Sequence, residues 1–369
     1  MTGEPTPIRC CSLPVGQGFA SPWLGVVILL IGATAPAFAD TVVVEAPGAT
    51  TYDARDTLAP DADSSPAAQR VIDQIVWPKT TFQVEVAPAP GGFGAVRRLI
   101  RFPSPRPPKA GKPHPYDTVV LEWHEASLGD RTPRRSPALV LVHSIDHRLP
   151  VARAIARTIC QQGVHAFVLH MPNYGLRANG LSVFEGKGFF DRCFQAVADT
   201  RRARDAIAVL PRVDGRRISI QGTSLGGFVA TSAASLDSSF DHNFVVLAGG
   251  HLQEVFENGR REARWLRQSL ERAGYRDGRL RAACDRIEPV HVAHRLDPKR
   301  TWLFSAFADQ VVPAANARAL AAAIGLDDSH HHWISGDHYT AVLNLPWMIR
   351  RMAQTIHGEA DQSPQAVDR

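Results

Sequence analysis

Ser224 sits in the run Gly222, Thr223, Ser224, Leu225, Gly226, a G-x-S-x-G pattern between the apolar residues 218–220 and the Ala-rich stretch 225–235. A serine hydroxyl is a poor nucleophile at neutral pH. It becomes effective when an imidazole takes its proton and a carboxylate fixes the imidazole's tautomer and stabilises its charged form. A strand turning sharply into a helix would present this hydroxyl at the helix N-terminus, with glycines where strand and helix approach too closely for a Cβ. The partners should then follow in the chain order Ser, acid, His. Asp309 follows the apolar run 301–304 and His338 follows the run 330–334. Both are expected in loops after strands, meeting Ser224 at one edge of a sheet.

Other residues compete for these roles. Asp337 adjoins His338, but neighbouring side chains in a loop usually diverge, and Asp327 and Asp328 precede the last strand and belong at its other end. His330, His331 and His332 invite a metal reading; a strand would turn the middle one away, and no Cys or second His pair completes a site, so no metal is expected. A developing oxyanion needs backbone donors. One should be the N–H of Leu225, and the second should come from Ser144 or Ile145 in the loop after residues 138–142. His143 in that loop and Tyr174 in the loop 170–176 are candidates for the substrate-pocket wall.

Elements able to position these residues are visible in the pattern. Short β-branched runs at 138–142, 166–169, 218–220, 244–247 and 301–304 alternate with helical periodicity at 151–162, 189–210, 225–235 and 314–324. Continuous apolar strands alternating with helices imply an α/β fold, a mostly parallel sheet covered on both faces, with ligands beyond the carboxyl ends of the strands. Residues 82–86 and part of 116–123 alternate instead and read as antiparallel strands at a sheet edge. The Arg-rich stretch 252–292 interrupts the alternation and is expected to form a small helical cap over the strand ends.

Three segments together, Gly222 to Gly227, Ala308 to Pro313 and Gly336 to Tyr339, resemble those of the α/β-hydrolases, in particular the esterase-like branch with dienelactone hydrolases and prolyl-oligopeptidase-type catalytic domains. The resemblance covers about residues 137 to 355. It implies a nucleophilic Ser224, a base His338 and an acid Asp309, and hydrolysis through an acyl-enzyme. The segment His143, Ser144, Ile145 departs from the glycine-bearing form usual in such relatives. An ester is the expected substrate; a peptidase, or a binding module that kept the fold without turnover, are the alternatives.

The 369 residues carry 41 Lys and Arg against 36 Asp and Glu, a net charge of +5, with no block of like charge to grip nucleic acid. No charged side chain occurs from Cys10 to Ala39, and an apolar centre there is followed by Ala37, Phe38 and Ala39. Residues 1–39 therefore read as an export signal cut before Asp40, giving a periplasmic or extracellular protein without a stable membrane span; an uncleaved anchor is the alternative. Residues 40–80, rich in Ala, Pro, Asp and Ser, read as a poorly ordered lead-in with few core contacts. The hydrolase domain is expected over 81–356, with a tail at 357–369. Cleavage would leave Cys160, Cys193 and Cys284, allowing at most one bridge, which the spacing does not choose. The relay supplies both nucleophile and base, so no cofactor is implied; the partner is a small-molecule ester, and nothing indicates an oligomeric state.

Overall fold

The computed structural model describes residues 48–90, 98–107, 114–128 and 135–358. The export segment lies outside them, as do residues 40–47 and 359–369. Among the described residues no helix is long and apolar enough to cross a membrane.

Ten strands form one sheet. Four lead in: β1 (Thr50–Arg55), β2 (Thr81–Pro88), β3 (Arg98–Pro103) and β4 (Thr118–His124), each antiparallel to the next. The remaining strands are β5 (Ser136–Val142), β6 (His165–His170), β7 (Val213–Thr223), β8 (Asn243–Val246), β9 (Thr301–Ala306) and β10 (His331–Ile334). Strand β4 joins them antiparallel to β6, and the rest run parallel in the order β6, β5, β7, β8, β9, β10. The sheet is thus mixed, parallel over the part that carries the motifs. Every residue of β5 and β6 is buried, as strands covered on both faces require.

Helices α1 (Pro66–Ile75), α2 (Pro150–Cys160), α3 (Phe189–Ala208) and α4 (Leu225–Ala234) are followed by a helical insertion between β8 and β9. The insertion comprises α5 (Leu252–Asn258), α6 (Glu262–Arg272), α7 (Asp277–Asp285) and α8 (Val290–Ala293). Helices α9 (Ala314–Ile324) and α10 (Leu345–His357) are the last helices of the described residues, each stopped by a left-handed glycine, Gly325 and Gly358. One hydrophobic core follows the sheet. A second, smaller one joins Phe189, Phe190 and Cys193 of α3 to Leu266, Leu270 and Cys284 of the insertion.

Two expectations need correction. Residues 48–80 are not a loose lead-in: they supply β1, the true edge strand, and α1, whose Ala68, Val71, Ile72 and Ile75 are buried. Strand β4, expected at an edge, is interior. Polar contacts hold this segment in addition to its buried apolar residues. Arg202 Nε of α3 donates to Asp56 Oδ1 at 2.9 Å, Thr57 N–H donates to Asp205 at 2.8 Å, and Arg295 pairs with Asp63 at 2.9 Å. Hydrophobic periodicity cannot register an anchor made of charges. Cys160, Cys193 and Cys284 are free thiols, and burial pushes those of Cys193 and Cys284 up to about 12, so they stay protonated.

Candidate active site

The parallel registers bring five strand ends level. Val142 pairs with Gly222, Thr223 with Val246, Val246 with Phe304, and Ala306 with Ile334. The loops that follow β5, β7, β9 and β10 therefore open on one edge, and each carries a residue singled out by its type.

After β7 the backbone turns at Ser224 with φ 52° and ψ −118°, a conformation that L residues seldom adopt. Its N–H is held by the carbonyl of Val246 at 2.8 Å. The flanking glycines have a direct steric reason. A Cβ on Gly222 would stand 2.1 Å from the Gly226 carbonyl oxygen, and one on Gly226 would stand 2.1 Å from that of Val142. Helix α4 can start against the end of β5 only because no side chain intervenes.

Ser224, Asp309 and His338 are brought together. The Ser224 hydroxyl is 3.1 Å from His338 Nε2, and His338 Nδ1 donates to Asp309 Oδ2 at 2.7 Å. The other carboxylate oxygen of Asp309 accepts the N–H groups of Val311 and Val312, at 2.8 and 2.9 Å. All three side chains are buried. The rival carboxylates are engaged elsewhere: Asp337 accepts from the N–H groups of Tyr339 and Thr340, and Asp327 from Ser329 and His330. The three successive histidines take separate partners, His330 with Asp327, His331 with the hydroxyl of Ser305, and His332 between the rings of Phe304 and Trp347.

The N–H groups of Leu225, Ser144 and Ile145 donate to no acceptor among the described residues. All three residues line the cavity over Ser224. The β5 loop is fixed from behind by His143, whose ring lies in the protein and not in the cavity wall. Its Nδ1–H donates to the Ser144 carbonyl at 2.6 Å and its Nε2 accepts the Met171 N–H at 3.2 Å. Burial lowers its pKa to about 3, so the ring stays neutral. Tyr174 is also outside the wall: it packs edge-on against His143 and donates its hydroxyl to the Val183 carbonyl. The pocket role expected for these two residues does not match where their side chains lie; they support the loop instead.

An apolar cavity lies between the sheet edge, α3, α4 and the insertion. Phe189, Phe194, Phe228, Phe256 and Leu266 supply most of its character. One acidic side chain lines it, Glu262 at the start of α6. The Tyr339 hydroxyl donates to that carboxylate, and the Arg261 guanidinium lies 4.6 Å from the Tyr339 ring centre. Burial, reinforced by the neighbouring carboxylate, pushes the tyrosine hydroxyl far above its ordinary value, so it remains a donor. Neither Glu262 nor Tyr339 was identifiable as a pair from spacing, since 77 residues separate them.

No family model and no curated protein matches the sequence. Solved structures do. An acetyl xylan esterase from Paenibacillus sp. R4 superposes with a TM-score of 0.56 at 16% identity, over 81% of this chain and 96% of that one. A puromycin-hydrolyzing peptidase of Mycobacterium tuberculosis superposes with a TM-score of 0.53 at 16% identity, over 77% of this chain but only 47% of its own. This is an α/β-hydrolase fold. Within that fold, β7 and α4 form the sharp turn at the serine, and the strand ends beside it hold the acid and the imidazole. The α/β-hydrolase core is extended here by β1 and α1 on one side and by the helices α5 to α8 between β8 and β9.

Proposed function

We propose that this chain is a serine hydrolase that cleaves carboxylic esters through an acyl-enzyme. The observation that carries the proposal is the continuous relay from the Ser224 hydroxyl through His338 to Asp309. Ser224 Oγ attacks the ester carbonyl while its proton passes to His338 Nε2. Asp309 keeps the proton on Nδ1, so that Nε2 is the acceptor, and balances the imidazolium that forms. The carbonyl oxygen becomes an oxyanion facing the N–H of Leu225 and that of Ser144 or Ile145. Collapse breaks the ester C–O bond, and His338 returns its proton to the departing alcohol. Water then repeats the sequence on the acyl-serine, releasing acid and restoring Ser224.

An apolar wall favours an ester over a peptide, whose backbone amides would lose water there without gaining partners. Helices α5 to α8 act as a cap over the serine in this reading. Export is part of the same proposal and rests on the uncharged run and the Ala-x-Ala site before Asp40. N-terminal sequencing of secreted protein should begin at Asp40; retention of Met1 would contradict it. For the activity, the expected result is hydrolysis of p-nitrophenyl butyrate that disappears in Ser224→Ala with the fold unchanged by circular dichroism. Undiminished turnover by that variant overturns the proposal.

A further inference from the structure

The cavity over Ser224 has a direction. Four side chains of α4 line it, Leu225, Phe228, Val229 and Ser232. Their spacing of three, four and seven places them on one face of the helix. At the helical rise per residue, the stripe from Leu225 to Ser232 extends about 10 Å. The opposite wall includes Phe194 and Val197, three apart on α3, which packs against α4. Val229, Val197 and Ile75 in the lining are each buried, so this part of the cavity has little contact with solvent.

Polarity is unevenly distributed along it. Ser144, Ser224 and His338 lie at the relay, and the Glu262 carboxylate is engaged by Tyr339. Along the α4 stripe only Ser232 is polar. A hydrophilic group there would shed water for almost nothing, whereas each buried methylene is favoured. A buried slot also decides which half of an ester can use it. The alcohol must leave and water must enter before deacylation, but the acyl group stays on the serine through both steps.

We propose that the acyl part of the substrate is an unbranched hydrocarbon chain on the order of eight carbons, laid along α4 between α3 and the helical insertion. This rests on the acyl-enzyme reading above. It makes Phe228, Val229 and Ser232 residues that set chain length. The test is kcat/KM for p-nitrophenyl esters from acetate to dodecanoate below their aggregation limits. The expected profile rises about fourfold per methylene up to a chain of about eight carbons and then levels. Ser232→Phe, which fills the inner stretch, should lower the octanoate-to-acetate ratio at least tenfold. Brisk hydrolysis with a flat profile, or one that falls from acetate onward, overturns the chain proposal and leaves the esterase reading standing. Absence of hydrolysis of every ester counts against the esterase reading. The slot is then judged by calorimetry on Ser224→Ala, where methyl octanoate should bind about two orders of magnitude more tightly than methyl butyrate. Equal affinity for both overturns it.

Discussion

At Asp309 the two carboxylate oxygens have different tasks, which makes a sharp prediction possible. Oδ1 is held by two backbone N–H groups and Oδ2 faces His338 Nδ1. In Asp309→Asn the amide oxygen will keep the two N–H groups, leaving the NH2 to face the imidazole. His338 must then accept at Nδ1 and carry its proton on Nε2, where it cannot take one from Ser224. The expected loss is about 10³–10⁴-fold in kcat with KM little changed; steady-state kinetics that show less than a tenfold loss would move the acid role to another carboxylate. Gly226 offers a steric counterpart. Gly226→Ala puts a Cβ against the Val142 and His143 carbonyl oxygens, at 2.1 and 2.5 Å, so thermal denaturation should show a large fall in Tm or no folded protein. The meeting of Ser224, His338 and Asp309 was legible because each is a demanded residue type in a fixed chain order after a strand. His143 and Tyr174 were legible only as neighbours of the site, since spacing cannot say which way a side chain in a loop turns.

The helical insertion and the loop of His338 meet at the level of whole elements. Glu262 opens α6, Tyr339 follows the imidazole, and the hydroxyl joins them. Tyr339→Phe withdraws that donor from a buried carboxylate, and a buried acceptor left unmatched costs about 1–3 kcal/mol. Urea unfolding should report a loss of that size; in a Glu262→Gln background, where no charge is left uncompensated, the same change should cost less. A loss equal in both backgrounds would mean that the carboxylate's charge is immaterial to the contact. Periodicity located the strands and helices of the parallel half, β5, β6, β8, β9 and α2 to α4 closely and only the middle of β7, because burial on both faces writes continuous apolar runs. It did not register β1, and α1 was passed over although Ala68, Val71, Ile72 and Ile75 recur at helical spacing behind Ser65 and Pro66. The connection between β1 and α1 is attached through Asp56, Thr57 and Asp63 to arginines and an aspartate far along the chain, contacts with no local signature.

For the whole molecule, neutral buried histidines give stability a definite pH dependence. His165 accepts the Ala126 N–H at Nδ1, 2.9 Å away, and its Nε2–H donates to the Arg212 carbonyl at 3.0 Å. Burial lowers its pKa to about 4, and that of His143 to about 3, from the ordinary 6.5. Between those values the unfolded chain binds protons that the folded chain does not, so stability falls as pH drops below about 6.5. The urea midpoint should decline steadily from pH 7 to 5, and His165→Gln should have a shallower slope over that range. A midpoint independent of pH there would contradict the neutral assignment. Buried arginine pairs, Arg177 with Asp199 and Arg201 with Asp237, fix α3 to its surroundings, and α3 in turn forms one wall of the cavity.

The most direct measurement is the mass of the intact protein after exposure to a fluorophosphonate, followed by peptide mapping. A gain of one phosphonyl group per chain, carried by Ser224 and abolished in His338→Ala, is the predicted result. A folded protein that gains no mass, or carries the group on another residue, would contradict a nucleophile at 224 driven by the imidazole at 338.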